Sequence, residues 1–95
     1  MGISKKEFQI LWGVSEGDNT PEAIFSSVDP SLNLSMEEIK KLLRKLEFEK
    51  LVKIFVELDE DYTTEYWDVK ITEKARENYI RRVAAYGEMI PEFYK

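Results

Sequence analysis

Residues 35–58 read SMEEIKKLLRKLEFEKLVKIFVEL, and within this stretch the hydrophobic period changes from helical to extended. Ile39, Leu42, Leu43 and Leu46 fall at i, i+3, i+4 and i+7, one stripe of a helix. Ser35 and Glu38 have capping-box spacing, and Leu34 and Ile39 are placed as a hydrophobic staple across it. Phe48 falls almost opposite the apolar stripe, so either it is exposed or the helix ends before it. From Leu51 to Leu58, Val52, Ile54, Val56 and Leu58 alternate with Lys53, Phe55 and Glu57, the period of a strand. Glu65 to Ile71 repeats the alternation, with Trp67, Val69 and Ile71 against Tyr66, Asp68 and Lys70. The pair predicts an antiparallel hairpin with its tip near Asp59 to Thr64.

Outward from this centre the pattern is helical on both sides. Ser4 and Glu7 form another capping-box pair, stapled by Ile3 and Phe8. Phe8, Leu11, Trp12 and Ser15 mark one face of the first helix, with Ile10 and Val14 beside it. Gly17-Asp18-Asn19 ends that helix. Thr20 before Pro21 reads as an N-cap followed by proline at the first helical position. The second helix spans about Pro21 to Val28, with Ala23, Ile24 and Val28 as core contacts, and Asp29-Pro30-Ser31 stops it. Thr72 caps a last helix running to about Met89, before Pro91. Its apolar line is Ala75, Tyr79, Val83, Tyr86 and Ile90, widened by Ile80, Ala84 and Gly87. Two strands do not make a stable sheet alone, so the hairpin must lie on the helices. Leu32 to Leu34 is a candidate third strand.

Ninety-five residues with 43% apolar and 13% aromatic side chains suit one domain over residues 1–95. Cysteine and histidine are both absent, which excludes thiol chemistry, Cys-based metal sites and an imidazole base. The sequence has no apolar run long enough for a membrane span and no signal-peptide h-region, so a cytoplasmic protein without a membrane partner is the expectation. The net charge of −5 is uneven. Glu57 to Asp68, ELDEDYTTEYWD, holds six acids and no Lys or Arg. A non-specific polyanion binder would carry excess base. A specific DNA reader needs only local base.

Two segments carry a family resemblance. LRKLEFEKLVKI (Leu43 to Ile54) resembles the recognition-helix end and first wing strand of winged-helix proteins. WDVKITEKARE (Trp67 to Glu77) resembles their second wing strand and following helix. Over about two-thirds of the chain the layout is similar to small transcriptional regulators of the MarR and PadR kind. The resemblance implies an α+β fold, a winged helix-turn-helix of three helices, a β-hairpin wing and a C-terminal helix. It also implies that the helix after Ser35 enters a major groove of duplex DNA, that the wing lies beside the minor groove or backbone, and that residues 73–90 support a two-fold homodimer. The chain departs from the pattern in three places. Lys50 stands where such sequences usually carry glycine, so the helix exit is a place to expect a difference. Ala75 replaces another frequent glycine. The wing is acidic and lacks the arginine common there.

The candidate DNA contacts are Arg44 and Lys41 for base edges, and Lys40, Lys45 and Ser35 for phosphate. The competing reading of that face is a solvated surface with a Glu37–Lys41 pair at i,i+4 spacing. Lys5 and Lys6 are further candidates for a DNA-facing surface, while Lys74, Arg76, Arg81 and Arg82 read as hydrated exterior. Asp59, Glu60, Asp61, Tyr62, Glu65 and Tyr66 form an alternative protein-interaction surface for a basic partner. The acids also suit a plain soluble turn, and they lack the central glycine and spacing of a calcium loop. Trp12 and Trp67 read as core. Ile80, Ala84 and Gly87 are the candidate dimer contacts. No cofactor, metal or catalytic set is expected, so the reading is not an enzyme.

Overall fold

The computed structural model describes residues 3–81. Helix α1 (Lys5–Ser15) begins at Ser4, whose hydroxyl accepts from the Glu7 N–H while the Glu7 carboxylate accepts from the Ser4 N–H. Helix α2 (Pro21–Ser27) begins at Thr20, whose hydroxyl accepts from Ala23 N–H. A single 3-10 turn at Pro30–Leu32 leads into helix α3 (Met36–Phe48), again closed by a Ser35–Glu38 capping box. Strands β1 (Val52–Leu58) and β2 (Glu65–Ile71) pair antiparallel, with Val52 opposite Ile71, Ile54 opposite Val69 and Val56 opposite Trp67. Helix α4 (Glu73–Ala75), capped by Thr72, passes into a π-helical turn at Arg76–Ile80.

Apolar burial explains the packing. Phe8, Ile10 and Leu11 of α1, Ile24 of α2, and Ile39, Leu43 and Leu46 of α3 are sealed with Val52 and Val69 of the hairpin. Full burial of such a side chain contributes roughly 1.5–3 kcal/mol, against about 1 kcal/mol for an N-cap. The stripe on α3 therefore decides that this helix docks, and the cap decides where it starts. Trp12, expected in the core, is partly buried and packs at its edge, with its ring stacked 6.1 Å from that of Phe8.

The expected third strand at Leu32 to Leu34 does not form, because Pro30 and the Asp29 side chain, accepting from Ser31 N–H, wind Pro30–Leu32 into the 3-10 turn and Asn33 follows in the left-handed region at φ 53°. The sheet has two strands among the described residues. The outer edge of β2 is instead tied to the α1–α2 loop, where Val69 N–H donates to the Asn19 carbonyl at 2.8 Å. The alternation of β1 also stops predicting burial beyond Ile54. Val56 and Leu58 are exposed because the hairpin extends past the helical core.

Helices α1 and α3 end in the same hydrogen-bonding motif. At α1, Asp18 N–H donates to Gly13 carbonyl and Gly17 N–H to Val14 carbonyl. At α3, Leu51 N–H donates to Leu46 carbonyl and Lys50 N–H to Glu47 carbonyl. This is the Schellman arrangement, which needs a left-handed residue just past the cap. Gly17 fills that position at φ 109°, and Lys50 fills it at φ 64°. The glycine-to-lysine departure therefore leaves the helix exit unchanged in form and strained in energy. Gly13 suits its position for a different reason. A Cβ there would sit 3.0 Å from Asp18 Oδ2, which accepts a hydrogen bond from the Ser27 hydroxyl.

The sequence pattern predicts a continuous last helix to about Met89. Its described part widens into the π turn, which lets both Tyr79 and Ile80 pack against the core beside the buried Ala75. Val83, Ala84, Tyr86, Gly87 and Ile90 lie outside the described residues. The order of three helices, a hairpin and a further helix makes this an α+β winged helix-turn-helix.

Candidate nucleic-acid interface

Helix α3 is held on two sides and open on the third. Its buried stripe faces the core. On one flank, towards α1, Lys45 Nζ donates to Glu7 Oε2 at 2.9 Å and Lys6 lies 3.8 Å from Glu38. On the other flank, towards the hairpin, Arg44 stacks over the Trp67 ring, with its guanidinium carbon 4.5 Å from the centroid. Lys40 reaches the same ring at 5.4 Å. Helical spacing from the buried stripe places Glu37, Lys41, Arg44 and Phe48 on the outward side. All four are exposed, Phe48 at 87%.

The five sequence-derived DNA candidates thus occupy different situations. Lys41 is exposed and makes no ion pair among the described residues, so the anticipated Glu37–Lys41 pair does not form. Arg44 is half-exposed and donates to Glu47 at 2.9 Å as well as lying over Trp67. Lys40 is half-buried against the ring. Lys45 keeps an exposed stem, but its ammonium is engaged by Glu7. Ser35 uses its hydroxyl to accept from Glu38 N–H, and Glu38 closes the box at the start of the helix. A carboxylate consequently stands where a phosphate would approach the free N–H groups.

Glu7 forms the capping box that the sequence indicates, and also a contact to Lys45 that the sequence does not reveal. Its side chain is 4% exposed, and both of its oxygens are used: Oε1 accepts from Ser4 N–H and Oε2 from Lys45. Burial pushes its carboxyl up. The Lys45 ammonium and the Ser4 N–H and hydroxyl outweigh that burial and hold it below the usual value. Glu7 in turn raises the Lys45 ammonium above its usual value. The signal was present, since Glu7 shares a helical face with Leu11 and Val14, and a carboxylate on an apolar stripe must find a partner. The identity of the partner, 38 residues away, carries no local signature.

The wing tip is ordered by its own acid. Asp59 accepts from Thr63 N–H at 2.9 Å and from the Thr63 hydroxyl at 3.1 Å, and its N–H donates to Thr64 carbonyl. The Thr63 N–H is the main reason the Asp59 carboxyl lies below its usual range. Tyr62 takes the left-handed position of the turn at φ 59°. Glu60, Asp61, Tyr62 and Tyr66 are exposed, while Glu65 accepts from Trp67 Nε1 at 3.2 Å. Trp67 is thus buried as expected, but as the platform beneath two cations as well as part of the core. Among the described residues no group of acids is arranged to hold a metal ion.

The remaining candidates are dispersed. Arg81 pairs with Glu73 and Glu77, and Lys74 donates to the Glu49 carbonyl, so both are engaged locally. Ile80 is partly buried against the core, whereas Ala84 and Gly87 lie outside the described residues. No helix among the described residues is long and apolar enough to cross a membrane.

No family model matches the chain, and no curated protein matches it significantly. Solved structures do. BpsR of Bordetella bronchiseptica, whose DNA binding is regulated by 6-hydroxynicotinic acid, aligns with TM-score 0.66 at 12% identity, over 95% of this chain and 58% of that one. A MarR-family transcriptional regulator from Rhodococcus sp. RHA1 aligns with TM-score 0.56 at 20% identity, over 90% of this chain and 59% of that one. At such identities the likeness is one of fold, a winged helix-turn-helix related to that of MarR-family regulators. The chain spans less than two-thirds of the length of either protein.

Proposed function

We propose that the chain is a DNA-binding transcriptional regulator that reads duplex DNA through α3 and acts by occupying its site, with no catalytic step. The observation that carries the reading is Arg44. It stands half-exposed on the outward side of α3, stacked on Trp67 and oriented by Glu47, beside the unpaired Lys41. A pre-positioned guanidinium can donate two parallel hydrogen bonds to a guanine edge in the major groove. The likeness in fold to a DNA-binding protein and to a transcriptional regulator supports the DNA-binding reading. Lys40, Lys45 and Ser35 would contribute phosphate contacts, with Lys45 having first to share its ammonium with Glu7. A cytoplasmic homodimer completes the proposal, with residues 73–90 as the dimer helix and Ile80, Ala84 and Gly87 at its contact. Two α3 helices would then meet successive major grooves about one turn apart.

Selection from random duplex DNA at varied salt tests this reading. An enriched sequence is expected, with binding that weakens as salt rises. Arg44→Ala should cost about 1–3 kcal/mol and relax one base position. Absence of enrichment, or full binding by Arg44→Ala, would sink the mechanism.

One observation favours a second reading. Tyr62 and Tyr66 are exposed beside Glu60 and Asp61 on the wing, a surface that suits a basic protein partner better than a phosphate backbone. Under that reading Arg44→Ala leaves binding intact, and substitution of Tyr62 and Tyr66 abolishes it.

A further inference from the structure

The outer face of the hairpin, away from the core, holds an arrangement that a solitary domain does not explain. Register and alternation put Lys53, Phe55 and Glu57 of β1 beside Lys70, Asp68 and Tyr66 of β2 on this face. The Asp68–Lys70 contact at 3.9 Å agrees with that placement. Lys53 and Lys70 are directly opposed and both exposed. Like charges facing each other across a strand pair are unfavourable. Next along the hairpin come Phe55, 51% exposed, and Tyr66, 58% exposed. Phe55 stands opposite Asp68 and Tyr66 opposite Glu57, and beyond them lies the acidic tip. The face therefore runs from a basic row, through two rows that each set an aromatic ring beside a carboxylate, to the acidic tip.

We propose that this face is a self-complementary docking surface for a second copy of the chain. A gradient of this kind matches itself when one copy is turned end for end about a two-fold axis. With the axis crossing between Phe55 and Glu57, Lys53 and Lys70 of each copy lie over the Asp59–Thr64 tip of the other. Six residues of strand span about 20 Å, which brings the lysines level with the partner tip. Phe55 and Tyr66 from both copies gather at the centre, where Asp68, paired with Lys70, meets a tyrosine and Glu57 meets a phenylalanine. Aromatic anchors near the centre with matched charges at the ends are features of specific interfaces. Each face measures only about 23 Å by 10 Å, so the pair buries well under the ~1,200 Å² of a stable complex. The contact is accordingly weak in free solution and effective between copies held side by side, where the local concentration reaches the millimolar range. It is independent of whether α3 binds DNA and separate from any contact through the last helix.

Sedimentation equilibrium at high protein concentration tests the proposal. The parent chain should show a mass-increasing step that disappears in about 1 M salt, where charges are screened within about 3 Å. Lys53→Glu with Lys70→Glu should weaken that step more than about tenfold through like-charge contact. Glu57→Lys with Glu60→Lys should weaken it similarly, and an equimolar mixture of the two variants should restore it. Phe55→Ser, an exposed and uncharged change, should weaken it as well, and thermal unfolding checks that each variant folds. A step unaffected by charge reversal or by Phe55→Ser overturns the proposal. So does a mixture without rescue when both variants are folded. Association seen only with a foreign basic protein would assign the tip elsewhere and overturn it too.

Discussion

Replacing Lys50 by glycine should make the protein more stable, because the α3 exit carries a strain that glycine removes. Lys50 sits at φ 64° in a Schellman motif whose two hydrogen bonds, to Leu46 and Glu47 carbonyls, fix the left-handed conformation. A side chain in that region costs roughly 1–2 kcal/mol through contact of Cβ with the carbonyl oxygen. Glycine avoids the contact but loses about 0.5–1 kcal/mol to the greater freedom of its unfolded chain. The net gain is about 0.5–1 kcal/mol. The Lys50 carbonyl, which accepts from the Thr72 hydroxyl at 2.8 Å, is retained. For a domain of this size 1 kcal/mol moves the midpoint by about 4–8 °C, so Lys50→Gly should raise Tm by about 2–8 °C. Calorimetry or thermal unfolding followed by circular dichroism reads this directly. Two controls fix the cause. Lys50→Ala keeps the Cβ and should gain nothing. Gly17→Ala, at φ 109° in the matching motif of α1, should lose stability. A Tm for Lys50→Gly at or below the parent value, or an equal gain from alanine, would refute the strain argument.

The Glu7–Lys45 pair predicts an acid-side stability loss. Glu7 has a folded pKa below its ordinary value of 4.5, so its contribution is present above that pH and is lost as pH falls through the folded value. Glu7→Gln should be less stable than the parent at neutral pH by about 1–3 kcal/mol, with the gap closing below pH 4.5 in urea unfolding series. A gap that stays constant with pH would remove the charge argument. The Trp67 platform predicts coupling to Arg44. Trp67→Phe should weaken DNA binding by about 0.5–1 kcal/mol in the parent and have little effect in an Arg44→Ala background. Additive losses in a double-mutant cycle would show that the stacking does not position the arginine.

Local chemistry made much of the fold legible. Ser4, Thr20, Ser35 and Thr72 each cap a helix where the sequence places them, because a hydroxyl three residues before a free N–H acts without reference to the rest of the chain. The strands are legible for a similar reason, since alternation is a local pattern. Where the alternation ceases to mean burial is not local. Val56 and Trp67 face each other across the hairpin, yet Val56 is exposed and Trp67 is buried, because α3 lends Lys40 and Arg44 to cover only the tryptophan. The same holds for the site. Lys40, Lys41, Arg44 and Lys45 are adjacent in sequence and look equivalent as charges. Their partners come from α1 and from β2, distant in sequence, and those partners make the four unequal.

That inequality bears on the acidic wing. Glu57 to Asp68 would repel a phosphate backbone if the wing approached DNA as a charged finger. Only Asp68 has an opposite charge beside it, Lys70 at 3.9 Å. Asp59 closes the turn and Glu65 receives the Trp67 N–H, and both keep their negative charge. The unpaired charge, at Glu57, Asp59, Glu60, Asp61 and Glu65, lies at the distal end, while the proximal end supports Arg44 from beneath. A hairpin so divided can hold the guanidinium in place while keeping its own negative end away from the duplex. The wing would then serve DNA reading as a support for α3 and leave its exposed end to contacts with protein, which makes Trp67 the point where the two roles separate.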